Sequence, residues 1–529
     1  NLNWVDKLRI EQEFKRMPDS TWVLANENTY VNFYIVKGAQ QLYAHQLRNF
    51  DKYQFDVQNA DSIFGLLGPI HELPEATAQT DTFWIHNRHV PLKEKESALD
   101  DLLAQLRKVP AFNVIIKTAE ILITGYIPTT ADKDKSKFDF GPMNTTFSAN
   151  HLEGFRMRVG GMTTANLNPH WFGSGYLAYG VNDRKLKYNA KLTYSVNKKK
   201  YHEGESPVNN ISAIQEYDVY TPGQDFLFTS KDNMFVAWKV GEPVTMMQYI
   251  RKTMLQYQKE WLNGLTLTTW ARNENNEAAG TLRYDRYDAD GTLTNLKSFT
   301  NTELGTQLRF APGERAYNGR EGKNSLFNLS KDAPVFKLSH QMGLKNVLGS
   351  DFNYNHTEIS AEKRIWLSSF GHIDALVTAG KVWDKVPFPL LIMPNTNQSI
   401  TIQPQAFNMM RALEFVSDQY VSFYFTYYMK GWILNRIPGV KWLRLREVIS
   451  FSGFYGGLTD KNNPALDPTG LYRFPEGTSP MGRTPYLEAS VGLENIFKIL
   501  RIDYYRRLTY LDQPNIKKGG VRIALRFSF

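Results

Sequence analysis

Few side chains in this 529-residue chain stand where they could do chemistry together. Glu414 and Asp418 lie four residues apart in AFNMMRALEFVSDQY (406–420). Two carboxylates can share general acid and base work when their surroundings hold their proton affinities apart. Here no histidine, serine nucleophile or metal cluster sits beside them in sequence. A buried ion pair or a turn cap is the simpler reading. His86 and His89 in FWIHNRH (83–89) are three apart, but no helical pattern surrounds them and no further ligand follows. The other histidines, of ten in all, show no metal spacing. SFSGFYGG (450–457) is no nucleophile elbow, because its glycines suit a crowded wall better than a strained turn. Phosphate-cradling loops are absent. The expectation is a protein that is not an enzyme, with no catalytic residue, metal or cofactor.

The strongest pattern belongs to elements that would carry charge on one face only. Val521, Ile523, Leu525, Phe527 and Phe529 alternate with Arg522, Ala524, Arg526 and Ser528 to the last residue. A strand turns successive side chains to opposite faces, so this one has an oily face and a basic face. The same alternation runs through 185–196, where Lys185, Lys187 and Lys191 oppose Leu186, Tyr188 and Leu192. It recurs in 487–494, 500–510, 373–379 and 421–429. Charge on one face would leave a soluble sandwich little core to build from. It suits a barrel whose outer face meets lipid and whose inner face meets a wet lumen. Arg501, Asp503, Arg507, Arg522, Arg526, Glu488 and Glu494 are then expected to face the lumen.

Composition is consistent with this and narrows the alternatives. The net charge of +9 fits either an ordinary solvated surface or a basic lumen attracted to anionic headgroups. No nucleic-acid motif accompanies it, so nucleic acid is not an expected partner. There is no cysteine, hence no disulfide and no thiolate metal site. Aromatics reach 13%, which suits interface girdles. The mean hydropathy is −0.43, and no apolar run is long enough for a spanning helix. A barrel is not excluded by either fact, since only alternate strand residues face lipid. No leader opens the chain at Asn1. An exported chain without one has been processed or truncated, so more sequence is expected upstream.

Residues 1–110 read as a mixed α+β region facing water, ending in a linker helix over 93–108 (KEKESALDDLLAQLRK), which Pro110 stops. Residues 111–529 read as the barrel, with about 12 to 16 strands. The segments 197–212, 314–333 and 459–484 are polar and rich in turn residues, so they read as surface loops. The stretch from Pro243 to Leu262 fits a loop helix or a long strand.

The densest run of special residues spans 387–448: PFPLLIMPNTNQSI (387–400), the carboxylate segment above, KGWILNRIPGVKWL (430–443) and LREV (445–448). With GPMNTTFSANHLEGFRMRVGG (141–161), HWFGSGYLAYG (170–180), DAPVFKLSHQMG (332–343) and FWIHNRHVPLKEKE (83–96), this run resembles a family of outer-membrane β-barrels of unknown function common in Bacteroidota. The residues carrying the resemblance include Pro387, Pro389, Pro394, Asn395, Asn408, Met409, Glu414, Phe415, Asp418, Asn435, Arg436, Pro438, Arg446 and Glu447. Members typically carry an N-terminal carboxypeptidase-regulatory-like domain, and no complete segment here matches one. The pattern SVGLENIFKILRIDYYRRLTY (490–510) is similar to the end of the wider insertase and translocase barrels, a resemblance that implies sixteen strands. Their Val-Arg-Gly-Phe/Tyr loop is missing, and GLYRFPEG (470–477) matches it poorly. The resemblance implies a transmembrane antiparallel barrel in the bacterial outer membrane, with its N-terminal region in the periplasm. Expected partners are outer-membrane lipid, as lipopolysaccharide or phospholipid, and other outer-membrane barrels or lipoproteins. The expected role is a component or accessory of outer-membrane protein assembly, export or envelope biogenesis. The alternatives are a passive pore with a basic lumen, built on the arginines above and the lysines of 185–191, and a structural partner barrel.

Overall fold

The structure, a computed structural model, describes residues 5–33, 42–55, 58, 81–87, 114, 118, 121, 125–130, 135–240, 244–314, 316–317, 327–328, 332–514 and 516–526. The chain divides into two compact units. One is 1–116 with 497–499 and 526–529, and the other is 117–496 with 500–525.

In the first unit, β1 (Val5–Arg16), β2 (Trp22–Phe33) and β3 (Leu42–Asn49) form an antiparallel sheet in that order. Cross-strand pairs hold its register. The Tyr30 and His45 rings stack at 4.4 Å, and Glu27 takes hydrogen bonds from Gln12 and Arg48 at 2.7 and 3.0 Å. A short helix, α1 (Asp81–Asn87), follows, so His86 does stand on a helix, contrary to the sequence expectation. His89 and the expected helix 93–108 lie outside the described residues.

The second unit is a closed barrel. Its wall runs in chain order through β4 (Ile127–Pro128), β5 (Phe138–Phe140), β6 (Phe147–Asn150), β7 (Gly154–Thr163), β8 (Trp171–Gly180), β9 (Leu186–Ser195), β10 (Asn209–Tyr220), β11 (Met246–Glu260) and β12 (Leu265–Gly280). Two short strands, β13 (Tyr284–Tyr287) and β14 (Leu293–Leu296), form a separate hairpin before β15 (Ser298–Phe310) resumes the wall. A second small pair, β16 (Ala316–Tyr317) and β17 (Phe327–Asn328), precedes β18 (Val335–Gly343), β19 (Tyr354–Trp366) and β20 (His372–Val382). After β21 (Phe415–Val416) come β22 (Gln419–Tyr428) and β23 (Arg446–Gly457). After β24 (Ser479–Pro480), which pairs with β21 in parallel, β25 (Tyr486–Ile496), β26 (Leu500–Arg507) and β27 (Gly519–Leu525) complete the wall.

Among the described residues eighteen strand segments therefore make the barrel, rather than about sixteen. The excess arises where the wall begins. β5 and β6 both pair with β7, at its two ends, through Phe140↔Gly161 and Phe147↔Met157. Between them Pro142 offers no N–H to a ladder, and Met143–Thr145 turn as a 3-10 helix. The ambiguous stretch around 250 is β11, paired along its length with β12 from Met246↔Gly280 to Glu260↔Thr266.

The wall is inverted relative to a soluble β protein. Along β26, Arg501, Asp503, Tyr505 and Arg507 are buried, while Ile502, Tyr504 and Arg506 are exposed. β25 buries Glu488, Ser490 and Glu494 and exposes Val491. β9 buries Lys187, Thr193 and Ser195 and exposes Leu186 and Leu192. Apolar side chains thus cover the outside and polar ones the inside. Among the described residues no helix is long and apolar enough to cross a membrane, which says nothing about a barrel.

The expected loops fare unevenly. β10 takes over from residue 209, so the loop after β9 is shorter than expected. Most of 314–333 lies outside the described residues. The segment 459–484 is not a simple surface loop, because Leu471 and Tyr472 are buried and Tyr472 packs with Tyr284, Phe299 and Phe388.

Gly305 tests the packing of the inner wall. It sits directly across from Trp270 in the β12–β15 ladder, and an added Cβ would run into the indole. That indole donates to Glu303 at 2.9 Å. Gly305→Val should lower stability by about 1–3 kcal/mol, as forced overpacking does, read as a fall in thermal midpoint.

Candidate functional site

The lumen is partly occupied by the chain itself. The connection from β20 to β22, residues 383–418, runs inside the barrel, where the sequence had suggested only rigid turns. Its aromatic and aliphatic residues explain why. Phe388, Leu391, Leu413 and Val416 join Tyr284, Phe299 and Tyr354 in one buried cluster. Phe407, Met410 and Phe415 join Phe454 and Tyr486 in another. The prolines keep the segment extended or tightly turned. Pro387 precedes, and Pro389 lies within, a 3-10 turn at Phe388–Leu390.

Polar groups on the wall then fix this plug at set points. Arg507 and Glu414 meet in a two-pronged ion pair at 2.6 and 3.0 Å, with both side chains 0% exposed. Planar guanidinium and carboxylate match in this geometry. Glu488 accepts the backbone N–H groups of Asn408 and Met409, each at 2.9 Å, and the Tyr486 hydroxyl at 2.9 Å. Arg522 donates to the Asn408 carbonyl at 2.6 Å. Asp418 accepts from the Thr459 N–H at 3.0 Å, from the Thr459 hydroxyl, and from Asn462 Nδ2 at 2.9 Å. The two carboxylates that could have formed an acid–base pair are therefore committed to different partners, Glu414 as an ion pair and Asp418 as a turn cap.

Other motif residues knit loops to the plug or lie apart from it. The Asn395 Oδ1 accepts from the Asp225 N–H at 2.8 Å, and its Nδ2 donates to the Gln405 carbonyl at 3.1 Å. Pro394 precedes it. Residues 400–402 also bond to the last strand. The Ile523 N–H donates to the Ile400 carbonyl at 2.9 Å, and the Ile402 N–H donates to the Ile523 carbonyl at 2.8 Å. Asn435 and Arg436 lie in a 3-10 turn with Pro438 just beyond. Glu447 takes the N–H of Ile433, at 3.1 Å, and that of Leu434. Arg446 faces Glu494 in register across β23 and β25, and both are buried.

Several of the cations expected to line the lumen have carboxylate partners. Arg501 is held by Asp503 at 2.5 and 2.8 Å, Arg507 by Glu414, and Lys187 by Glu153 and Asp183 at 2.7 and 2.5 Å. Charge taken out of water has to be matched locally, and these pairs do so. Arg526 stands past the end of β27 and groups with the first unit, not with the wall. Of the terminal-strand residues, Val521, Ile523 and Leu525 lie on β27, while Phe527 and Phe529 are outside the described residues.

Sequence reading missed a second network. Arg156 on β7 is fully buried and contacts Glu153 and Asp218, both at 2.8 Å, and Asp232 at 3.2 Å. Asp218 also takes Lys231, at 2.8 Å, and the Tyr176 hydroxyl, at 2.5 Å. Lys231 and Asp232 belong to the β10–β11 connection, so this cluster ties a second loop to the inner wall. Its only signal in the sequence is charge at alternating positions of β7 and β10. Among the described residues no group of three or more His, Asp or Glu is arranged to hold a metal ion.

Fold and site together define a β-barrel with an apolar outer wall, a polar inner wall and a lumen occupied by its own loops. The chain belongs to a family of unknown function, DUF5686, whose C-terminal domain matches residues 119–462. No curated protein matches the sequence. Among solved structures it is similar to BamA from Haemophilus ducreyi lacking POTRA domains 1–3, with 10% identity and a TM-score of 0.43, over 78% of each chain. It is also similar to CdiB from Acinetobacter baumannii, with 12% identity and a TM-score of 0.35, over 71% of this chain and 57% of that one.

Glu414→Gln should leave Arg507 buried and half-paired, costing about 3–5 kcal/mol, the usual result of removing one partner of a buried pair. The double substitution Glu414→Leu with Arg507→Met should recover most of that loss. Urea denaturation checks the order, and faster proteolysis within 387–413 in Glu414→Gln locates the loosened segment.

Proposed function

We propose that the protein is an integral outer-membrane β-barrel, with its N-terminal unit in the periplasm, acting as a component or accessory of outer-membrane protein assembly, export or envelope biogenesis. The observation that carries the membrane reading is the inverted wall. An outward row such as Leu186, Leu192, Val491, Ile502 and Tyr504 would be costly in water and is stable against lipid. The occupied lumen speaks against an open pore, because the plug is anchored by buried ion pairs and two apolar clusters. The role in biogenesis rests on the sequence likeness at 490–510 and on the presence of a separate N-terminal unit, and fold alone does not decide it. On this reading the partners are outer-membrane lipid and neighbouring barrels or lipoproteins, and no reaction is catalysed.

Three measurements separate the parts of this reading. Val491, 66% exposed in the middle of β25, should tolerate lysine if it faces water. Facing lipid near the bilayer centre, Val491→Lys should cost about 2–4 kcal/mol in unfolding from vesicles. Reconstituted wild-type protein should give no steady conductance, and a stable open channel would restore the pore reading. Depletion in cells should lower the abundance of other outer-membrane proteins. Unchanged levels of all of them would remove the biogenesis role while leaving the membrane barrel intact.

A further inference from the structure

The connection from β22 to β23 is held in one shape by its surroundings. Leu434–Arg436 and Val440–Leu443 form two 3-10 turns that lie side by side. Glu447, buried at the start of β23, accepts the N–H groups of Ile433 and Leu434. Asn495 at the end of β25 donates through Nδ2 to the Arg444 carbonyl at 2.7 Å. Trp432 meets Phe370 of the β19–β20 connection edge to face, with ring centroids 5.1 Å apart. Both ends of the loop and its first turn are thus fixed to the wall.

That shape leaves large apolar side chains outside. Trp442 is 72% exposed and Leu443 62%, and Ile433 and Ile437 are exposed as well. Apolar surface fixed in this state marks a contact site. The charge on the loop has one sign. Residues 430–444 include Lys430, Arg436, Lys441 and Arg444 and no carboxylate. Arg436 and Lys441 are exposed, and Arg436 lies 5.7 Å from the centre of the Trp432 ring. The loop also continues the outer wall. On β23, Ile449 and Phe451 are exposed, and Ile449 stands across from the exposed Val491 of β25.

We propose that residues 430–444 form an interfacial anchor that binds anionic phospholipid at the rim of the barrel. Ile433, Ile437, Trp442 and Leu443 enter the boundary between headgroups and acyl chains, where tryptophan is favoured. Arg436 and Lys441 lay their stems along the same boundary and reach the headgroup phosphates. Two features select a lipid surface over a protein partner. The apolar patch is continuous with the wall proposed to face lipid, and no carboxylate on the loop repels an anionic headgroup. The inference rests on the membrane reading given above and adds to it a site and a lipid charge.

Fluorescence quenching of the full chain in phosphatidylcholine vesicles tests it, with brominated phosphatidylglycerol or brominated phosphatidylcholine as quencher at equal mole fraction. The emission lost in Trp442→Phe isolates Trp442 from the other ten tryptophans. Both lipids should quench it, with phosphatidylglycerol favoured by about fivefold or more, the worth of one or two cations at an anionic surface. Arg436→Gln with Lys441→Gln should bring that preference close to one without ending the quenching. Ile437→Asp, a second variant on the exposed surface, should weaken quenching of Trp442 by both lipids. The outward Trp171 and Trp383 report separately whether the barrel sits in the bilayer. If no tryptophan is quenched, the membrane reading fails and this inference with it. Quenched wall tryptophans beside an unquenched Trp442, the result expected of a loop covered by protein, would overturn the anchor alone. Equal quenching of Trp442 by the two lipids, or a preference that survives the double variant, would do the same.

Discussion

The barrel answers to one constraint: charges such as Arg501, Asp503, Arg507 and Glu488 face inward. A closed sheet with an oily exterior leaves the lumen as the only place for the charged members of each alternating strand. Inside, away from bulk water, each charge must find a partner, because an unpaired buried ion is far costlier than a lost contact. The Arg507–Glu414 pair shows how the chain meets this demand. The wall supplies the cation, and a loop entering the lumen supplies the anion. Folding the plug and neutralising the wall are then one event rather than two.

Seen this way, the plug and the β10–β11 loop are counterparts. Each carries carboxylates to arginines on the inner wall, Glu414 to Arg507 and Asp232 to Arg156. Each is also bound through its backbone. Glu488 collects two N–H groups from the plug, and Thr396 and Ile400 of the plug bond to Gly223 and Trp238 of the other loop. The two loops thus brace each other as well as the wall.

Much of the architecture was legible from alternation alone. Segments 185–196, 487–494 and 500–507 fall on barrel strands, with lysine, glutamate and arginine buried and leucine, valine and isoleucine outward. Local chemistry offered an ion pair or a turn cap for Glu414 and Asp418, and it left open which residue made which. Less was visible where regular periodicity fails. The stretch 383–418 has the apolar content of a core but neither helical nor strand period, so it looked like a set of turns. The broken first wall at β4 to β6 hid two segments, because short strands interrupted by proline show too few alternations to register. The charge balance left two readings open for a related reason: a sum over the chain cannot say which cations already have partners.

The sequence by itself determined which side chains share a face, since a strand's period of two is a local property of the backbone. It therefore determined the barrel's polarity and the inward direction of Arg501, Arg507 and Arg522. Only the tertiary structure decided whom those residues meet. Arg507 and Glu414 are 93 residues apart, and Arg156 and Asp218 are 62 apart. Their meeting depends on ladder register and on a loop folding inward, both set by contacts across the whole barrel.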